Sequence, residues 1–97
     1  MSDTHTMALA DTLDVNAAGP LTLTLLELRG QPLALDASQV RRIGGQCLQV
    51  LLSAQATWAV DGQAFDIVSP SPDFADGLAL LGASRLCEAT TLSLVQD

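Results

Sequence analysis

Ninety-seven residues suffice for one domain with a core that needs no disulfide or metal staple, and are too few for two. Eleven acids against four bases give a formal charge of -7, which opposes the counterion release behind nucleic-acid affinity and argues against DNA, RNA and anionic membranes as partners. Aromatic side chains are confined to Trp58, Phe65 and Phe74, so the expected core is aliphatic, built on Leu and Ala.

Residues 1 to 5 are polar and expected to be disordered, leaving a single domain over 6–97. MSDTHTMALADT lacks a basic stretch followed by an apolar one, so it does not read as a signal peptide and a cytoplasmic location is expected. The run TMALADTLDV places Met7 and Leu9 on one face and then Leu13 and Val15, the pattern of two short strands joined by a turn. In NAAGPLTLTLLELRG two readings compete. LTLTL has the period of a strand and β-branched threonines. Against that, Asn16 suits an N-cap, Pro20 a first turn and Gly30 a helix stop, while Ala18, Leu21, Leu25 and Leu28 follow helical spacing. Helix is ahead by a narrow margin.

PLALDAS, from Pro32 to Ser38, is a short strand with Leu33 and Leu35 inward. A loop from Ala37 to Gly45 follows. Then QCLQVLLSAQATWAVDG forms a helix, the second of the chain, with Leu48, Leu51, Leu52 and Ala59 on its apolar side, Cys47 and Trp58 near the borders, and Asp61-Gly62 at its end. QAFDIVS alternates as a strand. PSPDFADGLALLGAS starts a third helix at Ser71 with Pro72 in its first position and Gly82 closing it. ATTLSLVQD alternates Leu92 with Leu94 and predicts a last strand. The order β-β-α-β-α-β-α-β implies an α/β fold, a small sandwich with a mostly parallel sheet and helices packed on it.

The usual chemistry of enzymes is missing. The one histidine is His5, so Ser-His or Cys-His pairs have no base in the body of the chain. Cys47 and Cys87 are too far apart for a redox or zinc C-x-x-C and read as small buried residues. Gly44-Gly45 lacks the rest of a P-loop, and the chain has no lysine. The uncharged stretch from Ile43 to Val60 is interrupted by Gln46, Gln49, Ser53, Gln55 and Thr57, which rules against a membrane span. No enzyme activity, metal or cofactor is expected, and nothing points to a small ligand. Asp36 reads as a loop or cap aspartate and Asp14 as a solvated acid. What stands out is a polar, uncharged row on the second helix, Gln46, Gln49, Ser53 and Thr57, which is cheaper to desolvate than a charged face. Beside it, Arg41 and Arg42 are adjacent positive charges on an acidic protein, suited to carboxylates on a partner.

Taken together, LALDASQV, RRIGGQCLQVLLSA, QAFDIVSPS and GLALLGA resemble, in that order, the STAS domain of anti-sigma factor antagonists, over a stretch from about Thr6 to Asp97. The resemblance implies a STAS-like sandwich and a non-enzymatic regulatory protein that binds a signalling partner through the loop and the start of the second helix. In that family an Asp-Ser-Ser-Gly-like or Asp-Thr-Gly-Gly-like segment opens this helix, and in antagonists of the regulated kind a serine at its start is phosphorylated by a partner kinase that is also the anti-sigma factor. On this chain Ile43 matches the preceding apolar residue, Gly44 takes the place of the aspartate, Gly45 of the first serine, Gln46 of the phosphorylated serine and Cys47 of the glycine. Glutamine has no hydroxyl, so phosphorylation at the family position is not expected; Ser38 and Ser53 are candidate substitutes, read first as a loop or cap serine and a solvated helix serine respectively. Partner-binding residues expected from this comparison and the polar row are Ser38, Arg41, Arg42, Gly44, Gly45, Gln46, Gln49 and Ser53. Similar STAS proteins accompany chemotaxis kinases or lipid-transport ATPases, so the implied partner is an anti-sigma factor or kinase, a chemotaxis kinase or a transport ATPase.

Overall fold

A computed structural model describes residues 4–83 and Leu86. Among the described residues, five strands and three helices follow one another as β1 (His5–Ala8), β2 (Thr12–Leu13), α1 (Val15–Glu27), β3 (Leu33–Asp36), β4 (Arg42–Ile43), α2 (Gly45–Val60), β5 (Phe65–Val68) and α3 (Pro72–Leu80). β1, β3 and β5 form one sheet with β3 in the middle, β2 pairs with β4, and every pairing is parallel. The small, mostly parallel α/β fold expected from the sequence is the one observed. The strand expected in ATTLSLVQD lies outside the described residues.

Alternation along the strands decides which face is buried. His5, Leu33 and Phe65 are in register, as are Met7, Leu35 and Ile67. Leu33 and Leu35 are completely buried, whereas the intervening Ala34, Asp36, Asp66 and Val68 are half-buried or exposed. Leu33 and Leu35 share one core with Leu21 and Leu25 of α1, Leu48, Leu51 and Trp58 of α2, and Phe74 and Leu78 of α3. This is the aliphatic core expected, with two large aromatics added. Trp58 meets Phe65 at 5.6 Å between ring centroids, tilted by 51°, and its indole Nε1 donates to the Gln31 carbonyl at 2.8 Å, so no polar atom is stranded by its burial.

Several local expectations are corrected. Asp14, not Asn16, caps α1, its Oδ1 accepting from the Asn16 and Ala17 amides at 3.0 and 3.2 Å; Val15 is therefore the exposed first residue of a helix and not an inward strand residue. Pro20 stands inside the helix and not in its first turn. The threonines that suggested a strand are accommodated by bonding back to the preceding turn: Thr22 Oγ1 donates to Ala18 O at 2.8 Å and Thr24 Oγ1 to Pro20 O at 3.0 Å. Leu21 and Leu25 then enter the core while Leu23 faces solvent, 65% exposed, which helical but not strand geometry requires. In α2 the core face is Cys47, Leu48, Leu51, Ala54 and Trp58; Leu52 is half-buried and Ala59 exposed, because 3.6 residues per turn carries the seam from Leu51 to Ala54 and Trp58. The start of α3 matches its reading, with Ser71 Oγ accepting from the Phe74 amide at 3.0 Å, Pro72 first in the helix and Gly82 at φ 73°.

Candidate functional site

The expected partner-binding residues occupy a single corner and the helix leading away from it. After β3 the chain turns on Asp36, whose Oδ1 accepts from the Ser38 amide at 2.9 Å. That hydrogen bond holds the Asp36 carboxyl below its ordinary pKa, because it favours the ionised acceptor. Ser38 and Gln39 are exposed, while Ala37 and Val40 on either side are buried. The loop is therefore pinned at its two apolar residues and open between them.

Both flanks of the loop are tied to the body. On one side the Arg41 and Arg42 amides donate to the Asp11 carbonyl at 2.7 and 3.2 Å. On the other, the Ser71 hydroxyl donates to Val40 O, the Ser71 amide donates to Ala37 O at 3.1 Å, and the Ala37 amide donates to Val68 O at 3.0 Å. Ser71 thus caps α3 and clamps the loop with the same oxygen. Arg42 and Ile43 then form β4 against Thr12 and Leu13, so what reads in sequence as the tail of a loop is a strand of two residues. Arg41 and Arg42 are exposed, and neither belongs to the ion pair that joins Arg29 Nε to Asp61 Oδ2 at 2.9 Å.

Gly44 ends β4 and caps α2. Its backbone is extended, φ -105° and ψ 172°, and no side chain hydrogen-bonds the helix start. A Cβ at Gly44 would come no nearer than 3.7 Å to the Leu13 carbonyl oxygen, and a Cβ at Gly45 would meet nothing within 4 Å. Neither glycine is required by the backbone. Gln46, which the resemblance sets against the phosphorylated serine, is exposed, and Cys47 is buried next to it. Cys47 Sγ donates to the Asp14 carbonyl at 3.2 Å, joining the start of α2 to the start of α1. Burial, with the Asp14 charge adding to it, raises the Cys47 pKa and keeps the thiol protonated and inert, as a small core residue. Cys87 lies outside the described residues.

From this corner Gln49 and Ser53 continue as exposed residues and Thr57 as a half-buried one. Gln49, Ser53 and Thr57 form one wall of an open groove of about 290 Å³, with Thr22, Leu25, Leu26 and Arg29 of α1 opposite and Trp58 among the lining residues. The row seen in the sequence is thus half of a two-helix surface; its α1 half was missed, although the exposed Leu26 four residues from Thr22 was the available sign. Three positioning residues were also missed. Asp11 and Ser71 act on the loop through hydrogen bonds to the backbone, and Gly77, the mid-helix glycine of α3, lies where an added Cβ would come within 2.6 Å of Ile43 Cγ2. A glycine inside a helix was the one signal of the three.

Among the described residues no group of three or more His, Cys, Asp or Glu side chains is placed to hold a metal ion, and no helix is long and apolar enough to cross a membrane. No curated protein matches the chain. Residues 2–95 match the family model described as "Mlab, STAS domain". With nearly its whole length covered and the α/β architecture in place, the chain belongs to the STAS domain family, whose members are in general non-enzymatic regulatory domains.

Proposed function

We infer that this STAS domain is a non-enzymatic, cytoplasmic interaction module that docks on a regulatory protein, of the anti-sigma factor or kinase kind, through the Ala37–Gly45 loop and the first turns of α2. The observation that carries the reading is the contrast within the corner: the backbone is fixed from both flanks by Asp11 and Ser71, yet Ser38, Arg41, Arg42, Gly45, Gln46 and Gln49 all face solvent. A surface held rigid before binding loses little conformational entropy on contact. Arg41 and Arg42 set orientation by meeting carboxylates, while the uncharged amides of Gln46 and Gln49 are inexpensive to desolvate.

Because Gln46 has no hydroxyl, this module binds constitutively or is controlled from the partner's side. Capture from the native cell with the purified domain, followed by identification of the bound chain, tests the reading and separates an anti-sigma kinase from a chemotaxis kinase or a transport ATPase. The double variant Gln46→Glu/Gln49→Arg retains the fold and loses the captured chain; equal capture by wild type and variant sinks the surface. A switch at Ser38 or Ser53, both exposed, is the second reading, and it requires a mass increase of one phosphate on incubation with the captured kinase.

A further inference from the structure

β1 is an edge strand. It pairs with β3 on one side and, among the described residues, with nothing on the other. The His5 amide donates to Pro32 O at 3.0 Å and the Leu9 amide to Asp36 O at 2.9 Å, so odd-numbered residues aim their main-chain groups at β3. By the alternation of a strand, the N–H and C=O of Thr6 and Ala8 aim outward. The edge lacks the usual devices that block such pairing: Thr6, Met7 and Ala8 include no lysine, proline or inward-pointing charge. Directly beside it lies an apolar groove of about 270 Å³, lined by Met7, Leu13, Ala17, Pro20, Leu21 and Thr24 among others.

We propose that a second copy of this chain occupies that edge, β1 pairing antiparallel with β1 about a two-fold axis at Met7 to give a continuous sheet β5-β3-β1-β1-β3-β5. The register is self-complementary. Thr6 stands opposite Ala8 of the second copy and exchanges both main-chain hydrogen bonds with it, and the symmetric pair does the same. Met7 faces Met7 as the close, non-hydrogen-bonded pair. Since Met7 shares the buried face of the sheet with Leu35, each Met7 side chain drops into the groove of the other copy, and an unbranched thioether adapts well to such a site. Charge selects the same place. On a chain of formal charge -7 two copies repel over most of their surface, whereas Thr6–Ala8 presents no charge and matched rows of N–H and C=O dipoles. Knob and groove come from one patch, as a two-fold interface demands.

Sedimentation equilibrium over a concentration series tests the proposal: a reversible shift from one to two chains of 10.1 kDa is expected, tighter as added salt screens the repulsion. Ala8→Pro removes an outward N–H that no described residue accepts, so the circular dichroism is retained and the dissociation constant rises about tenfold or more. A cysteine scan fixes the register independently of folding effects in that variant. In a Cys87→Ser background, Met7→Cys cross-links to itself under mild oxidation, because non-hydrogen-bonded partners lie about 4.5 Å apart at Cα. Thr6→Cys does so only when mixed with Ala8→Cys. A chain that stays monomeric throughout, as it will if another segment of the same chain takes the edge, overturns the proposal. So does a dimer that Ala8→Pro leaves intact, or one in which Met7→Cys does not cross-link.

Discussion

At Gly44 the chain leaves unused what its own backbone permits. An N-cap in extended conformation is the place where an aspartate or serine accepts from the first-turn amides, and α2 has neither a side-chain cap nor an acid in its first turn. With 3.7 Å of clearance to the Leu13 carbonyl oxygen, Gly44→Asp is expected to stabilise the fold by about 0.5 to 1 kcal/mol, through the cap and the helix dipole together. The urea midpoint reads this directly; an unchanged or lower midpoint contradicts it. Gly45 has more room still, so the missing serine motif is a property of side chains alone. That absence was legible from sequence, since a motif is read residue by residue. The compensating facts were not: Asp14 caps α1 and accepts through its carbonyl from Cys47 thirty-three residues away, a pairing that no local pattern announces.

At the scale of elements, long amphipathic segments were legible and short ones were not. α2 announces itself by sixteen residues of helical period, and its polar row survives as the exposed Gln46, Gln49 and Ser53. β4 has two residues, and tertiary pairing with β2 alone defines it. α1 was ambiguous because Thr22 and Thr24 favour strands by propensity; only hydrogen bonds to the preceding turn, visible in three dimensions, decide the matter. α3 supplies the prediction at this scale. It packs on β4 at Gly77, and alanine there places a methyl 2.6 Å from Ile43 Cγ2. Gly77→Ala is therefore expected to destabilise by about 1 to 3 kcal/mol, although alanine is the better helix former by about 1 kcal/mol. In an Ile43→Ala background the same substitution costs less, and the difference between the two backgrounds in denaturant unfolding measures the contact. Additivity of the two substitutions counts against it. Ile43 immediately precedes the Gly44–Gln46 corner, so Gly77→Ala also shifts the proposed docking surface.

For the molecule as a whole, acid titrates its ties. Asp61 is held below its usual pKa first by the hydrogen bond from Arg29, and Asp36 by that from Ser38. A carboxylate with a depressed folded pKa contributes stability above its unfolded value, near 4, and that contribution is lost as the pH falls through the folded value. The urea midpoint is expected to fall as the pH is lowered from 5 toward 3, with a smaller drop for Asp61→Asn; equal drops exclude the Arg29 pair as a source. The parallel pairing has a different consequence, one that belongs to synthesis. Parallel strands cannot be joined by a tight hairpin, and the central strand β3 has one neighbour at residues 5–8 and the other at 65–68. As the chain leaves the ribosome, β3 keeps an unpaired edge until residues 65–68 have followed it out. The described sheet is completed late, by long-range closure and not by local zipping.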